Sequence, residues 1–452
     1  MILSIFMRNF ADDFFSYTPD KTAVNMNRFA IQDLIKWKDS ARRKPLIIEG
    51  ARQVGKTWLV MDFAAKHYKS LAYINFENQK NLRDIFADNF NIERILQTIS
   101  IATGKIILPG ETLIFLDEIQ EADNGVTALK YFSENAPEHH VIAAGSFLGI
   151  SLHKHTSFPV GKVQFLTLRP MSFFEFLDAI GEEMLRKAIE VKNIDIANSF
   201  ASKLTELLKK YYYIGGMPEA VLSYVQRQDS KEVRAIQQDI LRSYDLDFSK
   251  HAPTEIVPRI RQLWNSIPTQ LSRENRKFIF GLIKEGARAR EYEVALQWLI
   301  DTGLIYKVSN VTAPRIPLKA YEDPKAFKIY ALDLGLLGAM TELDEKTIID
   351  GNRIFVEFKG ALTEQYVLQE LILHHAPYYF SKSNSKLEID FLIQMDGEIV
   401  PLEVKAEENL KAKSLSQFVA DNHSPEAYRL SMSSYRRESW MTNIPLYAAE
   451  TI

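Results

Sequence analysis

A chain of 452 residues, 46% hydrophobic and 25% charged, is an ordinary folded protein with room for roughly three domains, which excludes a disordered or fibrous molecule. Cysteine is absent, which rules out disulfides, thiolate metal sites and cysteine nucleophiles and fits a cytoplasmic protein. The net charge of −3 carries no global basic signal, so any nucleic-acid contact has to come from a local patch; no apolar run reaches the length of a membrane span, so no membrane contact is expected.

The opening MILSIFMRNFADDFF is broken by Arg8, Asp12 and Asp13 and is followed by no small-residue cleavage site. From Lys44 to about Arg169, short apolar runs (PLIIEG, LAYINFE, TLIFLDE, HHVIAAGS, KVQFLTL) alternate with helical patterns. Strands separated by helices need crossover connections, which predicts a mainly parallel, helix-covered α/β sheet.

GARQVGKT, between the run PLIIE and the helical WLVMDFAAKHY, has Gly50, Gly55, Lys56 and Thr57 at the spacing of a phosphate-binding loop. The glycines let backbone N–H groups wrap phosphates, and the helix start that follows favours negative charge. Gly50, Ala51, Arg52, Gln53, Val54 and Gly55, with Lys56, Thr57 and Trp58 at the helix start, are expected to line the nucleotide. Lys56 is expected to reach the β- and γ-phosphates of ATP, and Thr57 to hold Mg²⁺.

TLIFLDE supplies a buried strand, Leu113 to Leu116, that ends in Asp117 and Glu118. Asp117 is suited to the Mg²⁺ shell and Glu118 to polarising a water for attack on the γ-phosphate. Ser146, at the end of VIAAGS, reads either as a γ-phosphate sensor or as a helix cap. Arg52 and Arg169 are two candidates for an arginine finger, or surface charges.

From Ser172 to about Lys250 the pattern is helical, broken at GGMPEA, where Pro218 is placed to start the next helix. Residues 255 to 311 end in a helix, a glycine turn and a β-like run, the order of a winged helix. Arg259, Arg261, Arg273, Arg276, Lys277, Arg288 and Arg290 crowd this stretch. They fit a DNA-backbone face, a solvated helix surface or a protein interface equally well. Trp264 and Trp298 fall at apolar helical positions. His153–His155, His139–His140 and His374–His375 read as surface features rather than metal ligands.

The last unit starts near Ile354 with the helix GALTEQYVLQELILHH, followed by LEIDFLIQMDGEIVPLEVKA. The Asp396–Gly397 pair predicts a two-residue hairpin turn, with Met395 opposite Glu398, Asp390 opposite Glu403 and Glu388 opposite Lys405. Ile389, Phe391, Ile393, Val400, Leu402 and Val404 then share the buried face, and the charged residues share the other. Facing carboxylates repel unless something positive lies between them. A metal is one answer; a solvated face with a Glu388–Lys405 pair is the other.

KPLIIEGARQVGKTWL, LIFLDEIQ, AAGSFLG, FPVGKVQFLTLRPMSFFEFL, YYIGGMPEAV and FKIYALDLGLL resemble, in this order, the bacterial and archaeal AAA-type ATP-binding proteins that carry a C-terminal domain of unknown function. The resemblance starts near Met26 and leaves residues 1–25 as an expected non-native extension. It implies an AAA-like P-loop ATPase core over 26–170, a helical lid over 171–252, a winged-helix-like unit over 253–320 and a restriction-endonuclease-like α/β domain over 321–452. Such domains group a helix Glu, a strand Asp and a Glu-x-Lys strand around a divalent ion, a pattern that Glu364, Asp390, Glu403 and Lys405 match.

The expectation is an Mg²⁺-dependent ATPase whose nucleotide state controls a nuclease-like domain acting on DNA, with a second divalent metal in that domain. The alternative is a nucleotide-dependent switch or scaffold that binds DNA or protein, the hairpin carboxylates doing no chemistry. A homo-oligomer with arginine fingers supplied in trans is compatible with either.

Overall fold

The computed structural model describes residues 26–146, 159–273, 276–348, 356–382, 387–407 and 412–452. Residues 1–25 and the histidines His153 and His155 lie outside them. The chain divides into two compact units, one ending at Arg169 and the other beginning at Pro170.

The first unit runs α1 (Ala30–Asp39), β1 (Leu46–Glu49), α2 (Lys56–His67), β2 (Ser70–Asn75), α3 (Ile92–Thr103), β3 (Thr112–Asp117), α4 (Gly125–Asn135), β4 (His140–Ala144) and β5 (Gln164–Thr167). Its five strands pair in parallel, in the order β2-β3-β4-β1-β5. All six residues of β3 are buried, as a strand covered by helices on both faces requires. Ile74, Ile114, Leu116, Ile95, Ile99, Leu129 and Phe132 form one core, each contributing about 1.5–3 kcal/mol relative to exposure.

The register decides where chemistry can occur. Asn75 pairs with Asp117, and Asp117 and Ile48 both pair with Ala144, so β2, β3, β4 and β1 end along one edge. That carboxyl edge is where open parallel sheets hold ligands. His140 departs from the expected surface position: it is buried at the start of β4, with Nδ1 2.6 Å from the Tyr68 hydroxyl. Burial, helped by Arg43 and Lys38, lowers its pKa to about 4, so it is a neutral core histidine.

The second unit begins with helices α5 (Phe173–Ala179), α6 (Glu183–Glu190), α7 (Ile194–Ser199), α8 (Ala201–Ile214), α9 (Pro218–Arg227), α10 (Ser230–His251), α11 (Val257–Leu271) and α12 (Ala289–Asp301). It continues with β6 (Ile305–Val311), β7 (Glu322–Ala331), α13 (Leu334–Met340), α14 (Val356–Leu371), β8 (Tyr378–Ser381), β9 (Glu388–Met395), β10 (Glu398–Val404), α15 (Lys413–Asn422), β11 (Tyr428–Ser431), β12 (Arg436–Arg437) and β13 (Thr442–Pro445), ending in a 3₁₀ turn at Leu446–Thr451. GGMPEA separates α8 from α9 with Pro218 in the first turn, as its composition predicts. A Cβ on Gly216 would stand 2.1 Å from the Met171 carbonyl oxygen, so no other residue fits there. Asp333 accepts the Gly216 N–H at 2.6 Å and caps α13 through Leu336 N–H at 3.0 Å, which ties GGMPEA to ALDLG. Trp264 and Trp298 are core, both edge-on to Phe248.

Eight strands form one mixed sheet, β12-β13-β11-β10-β9-β8-β6-β7. The β6–β7 pair that follows α12 joins β8, so the winged-helix-like stretch and the C-terminal stretch build a single sheet. The hairpin turn is as predicted, with φ of 50° at Asp396 and 82° at Gly397 and Met395 opposite Glu398. Pairing holds to Phe391–Leu402, beyond which the Asp390 carboxylate itself takes the Val404 N–H at 2.8 Å. The charged face is not a solvated one: Leu392, Pro401 and Glu403 on it are buried, and α14, which carries Glu364, packs against β10.

Candidate nucleotide-binding site

After β1 the chain doubles back through residues 50–55 into α2. Gly50 has a φ of 142° and lies against β5, where a Cβ would stand 2.1 Å from the Leu168 carbonyl oxygen. Gln53 at φ 67° and Gly55 at φ 94° give the turn the alternation of backbone conformations that curls N–H groups into an anion-binding concavity. Lys56 opens α2, and its Nζ donates to the carbonyls of Gly50 and Ala51, each at 2.8 Å, and to Ser146 Oγ at 2.9 Å. Burial lowers its pKa to about 8 against the opposing pull of Glu118 and Asp117. A phosphate in the loop would supply the anion this buried amine lacks. Arg52 pairs with Glu77 at 3.3 Å, and Trp58 is 37% exposed.

Four groups converge on Asp117. Its Oδ2 accepts from Thr57 Oγ1 at 2.9 Å, Tyr73 hydroxyl at 3.1 Å and Asn75 Nδ2 at 3.3 Å, while Oδ1 accepts the Glu118 N–H at 3.2 Å. Burial, and then the charge of Glu118, push its pKa up to about 6 despite the Thr57 and Tyr73 bonds. Glu118 sits in the left-handed region at φ 50°, an uncommon conformation for a residue with a Cβ and one that concentrates at functional sites. Gln120 Nε2 holds its Oε2 at 2.6 Å.

Thus the structure brings Lys56, Thr57, Asp117, Glu118 and Ser146 to one edge, as the motifs predict. Tyr73 and Asn75 escape sequence reasoning because only the β2–β3 register places them beside Asp117. Arg28 escapes it too: buried ahead of α1, it donates to the Val54 carbonyl at 2.8 Å and the Arg169 carbonyl at 2.6 Å, bracing the loop.

The carboxylates of the second unit are arranged otherwise than expected. Glu364, on α14, is bonded to Arg276, to the Tyr330 hydroxyl and, at 3.2 Å, to Lys328 Nζ. Glu403 pairs with Lys405 at 2.7 Å, and Asp390 accepts the Val404 N–H, with its pKa pushed up to about 7 by burial and then by Glu364. Among the described residues no three His, Asp or Glu side chains gather where a metal ion could sit. The basic stretch is dispersed as well: Arg276 is spent on Glu364, and Arg261 is paired with Asp245 at 2.7 Å. Among the described residues no helix is long and apolar enough to cross a membrane.

In the first unit the donor set fits a nucleotide with its magnesium ion: a buried amine inside a phosphate-shaped loop, and a hydroxyl and a carboxylate oxygen 2.9 Å apart, the spacing of neighbouring oxygens in an octahedral shell. Residues 42–177 match the family described as AAA domain, residues 205–347 a domain of unknown function (DUF8612) and residues 359–447 another (DUF4143). The first unit therefore carries a P-loop ATPase domain of the AAA type. Among solved structures, the chain is similar to the Walker-type ATPase PABY2304 of Pyrococcus abyssi, at 15% identity and a TM-score of 0.44, covering 72% of this chain and 99% of that one. It is also similar to the Orc1 protein of Aeropyrum pernix in complex with DNA (14%, TM-score 0.25, 69% and 90% covered). The RuvB Holliday junction branch migration motor of Thermotoga maritima is another such structure (15%, TM-score 0.24, 65% and 93% covered). No curated protein matches.

Proposed function

We propose that the first unit binds and hydrolyses Mg²⁺-ATP on the edge formed by residues 50–58, Asp117, Glu118 and Ser146, and that its nucleotide state sets the binding activity of the second unit. The reading rests chiefly on Lys56, whose buried Nζ lies inside the loop on the Gly50 and Ala51 carbonyls. In this reading Lys56 exchanges those neutral oxygens for β- and γ-phosphate oxygens and recovers its charge partner. Thr57 and Asp117 hold the magnesium ion, which supplies charge neutralisation at the phosphates when bound. Tyr73 and Asn75 keep the Asp117 carboxylate oriented toward Thr57. Glu118, one residue past the strand end and held by Gln120, takes the proton of the attacking water. Ser146 reports the γ-phosphate through its bond with Lys56.

For the second unit we favour the switch over the nuclease. Glu364 is neutralised by an arginine and a lysine, which leaves the restriction-endonuclease-like resemblance as one of scaffold. DNA remains a proposed partner, read from Arg259, Arg288 and Arg290 in the basic stretch, and a homo-oligomer a proposed assembly.

Turnover of Mg²⁺-ATP by the full chain and by Glu118→Gln tests the reading. The variant should bind ATP as the parent does and turn over roughly 10²-fold more slowly or worse; equal turnover removes Glu118 from the mechanism. Plasmid and single-stranded DNA incubated with Mg²⁺ or Mn²⁺ should stay intact, and cleavage that Asp390→Ala abolishes restores the nuclease reading.

A further inference from the structure

The interior of the second unit contains a lysine with no exposed surface. Lys328, on β7, has its Nζ 3.2 Å from Glu364 Oε1, 2.9 Å from Glu388 Oε1 and 4.9 Å from the centre of the Tyr379 ring. Its side chain is 0% exposed and that of Glu364 1%. Isolated buried ammonium groups lose their proton, but here Glu364, Glu388 and Asp390 outweigh burial and keep the pKa of Lys328 above its ordinary value.

These neighbours are the ones a divalent ion would need. Glu364 comes from a helix, Glu388 and Asp390 from the strand before the Glu403–Lys405 strand. In a metal site they would converge on the ion; in this chain two of the three contact Lys328 directly, and Arg276 takes the second oxygen of Glu364. Two cations thus balance Glu364 and Glu388 without an external charge. An ion placed among them would have to displace a buried ammonium and face an arginine at short range, which costs more than the same carboxylates return.

We infer that the Lys328 ammonium stands in for a divalent cation at the carboxylates of α14 and β9, as a built-in counter-ion that makes the second unit's fold independent of metal. This concerns the second unit alone and does not depend on the ATPase reading. Lys328 lies on β7, separated in the sheet from β9 by β6 and β8, and is invisible to a reading of Glu364, Asp390, Glu403 and Lys405 by themselves.

The test uses nucleotide-free full-length protein and Mn²⁺ as the probe. Bound Mn²⁺ is counted by the loss of the free-ion electron paramagnetic resonance signal, in parent and Asp390→Asn protein, and unfolding midpoints are measured with Mn²⁺ or with EDTA. Parent and Asp390→Asn should bind the same number of ions, and Mn²⁺ should leave the parent's unfolding unmoved. Lys328→Met, which removes the ammonium at similar volume, should unfold at lower temperature, gain one bound ion and recover about 3 °C or more with Mn²⁺. An ion bound by the parent and lost in Asp390→Asn overturns the inference whether or not Lys328→Met folds. So does a folded Lys328→Met that Mn²⁺ neither occupies nor stabilises.

Discussion

The Thr57 hydroxyl donates to Oδ2 of Asp117 across 2.9 Å, joining the first turn of α2 to the last residue of β3. This contact spans the two elements between which a nucleotide's magnesium would be held, and it defines which charge matters there. Asp117→Asn keeps the shape and the acceptor for Thr57 and Tyr73 but removes the negative charge. ATP affinity without Mg²⁺ should be unchanged, the gain on adding Mg²⁺ should disappear, and turnover should fall about 10²-fold or more. A Mg²⁺ titration of nucleotide binding that matches the parent's would remove Asp117 from the ion's shell.

Arg28 braces the loop from outside the motif. Arg28→Gln gives up the charged bonds to the Val54 and Arg169 carbonyls, leaving Val54 oxygen without that donor inside the protein. ATP affinity should fall by about tenfold, about 1.4 kcal/mol, and kcat should change less, because Arg28 shapes the loop rather than touching the reacting atoms. An unchanged dissociation constant would show that the loop holds its form unaided.

The second unit should lose stability as pH rises. Glu370 Oε1 and Glu450 Oε2 accept the Phe173 and Phe174 N–H groups at the start of α5, at 3.2 and 3.1 Å. Burial and mutual repulsion hold the Glu370 carboxyl well above the usual range, and burial, with Glu175 nearby, pushes Glu450 up to about 8. The folded state therefore keeps a proton that the unfolded chain has given up. That contribution is fully present below the unfolded pKa near 4.5 and is lost as pH rises through about 8. The slope approaches about 1.4 kcal/mol per pH unit for one group. Denaturant melts across this window should show the decline, and Glu450→Gln should flatten it; parallel curves for the two proteins would contradict the account.

What could be read from the sequence follows from how locally each feature is encoded. The phosphate loop is contiguous, and the hydrophobic run ending in Asp117–Glu118 forces a buried strand to deliver its acids at the sheet's edge. The Asp396–Gly397 turn fixes the hairpin register arithmetically, and that register is observed to Leu402. Nonlocal partners stayed hidden. Arg28 and Val54 are 26 residues apart, and Lys328 lies 36 residues from Glu364. Nothing in the hairpin's alternation announces that α14 packs against β10 or that an arginine and a lysine from upstream neutralise Glu364. A carboxylate pattern shows which acids share a face, and only the fold shows which cations reach them.

In the proposed site, residues 50–57 bind ATP through Lys56. The decisive measurement is a titration of the parent and of Lys56→Ala with fluorescent ATP in the presence of Mg²⁺. The parent should bind saturably, and Lys56→Ala, with its unfolding midpoint in the absence of nucleotide kept near the parent's, should lose binding by about 10²-fold or more. Undiminished affinity in the folded variant would contradict the assignment of the loop as the nucleotide site.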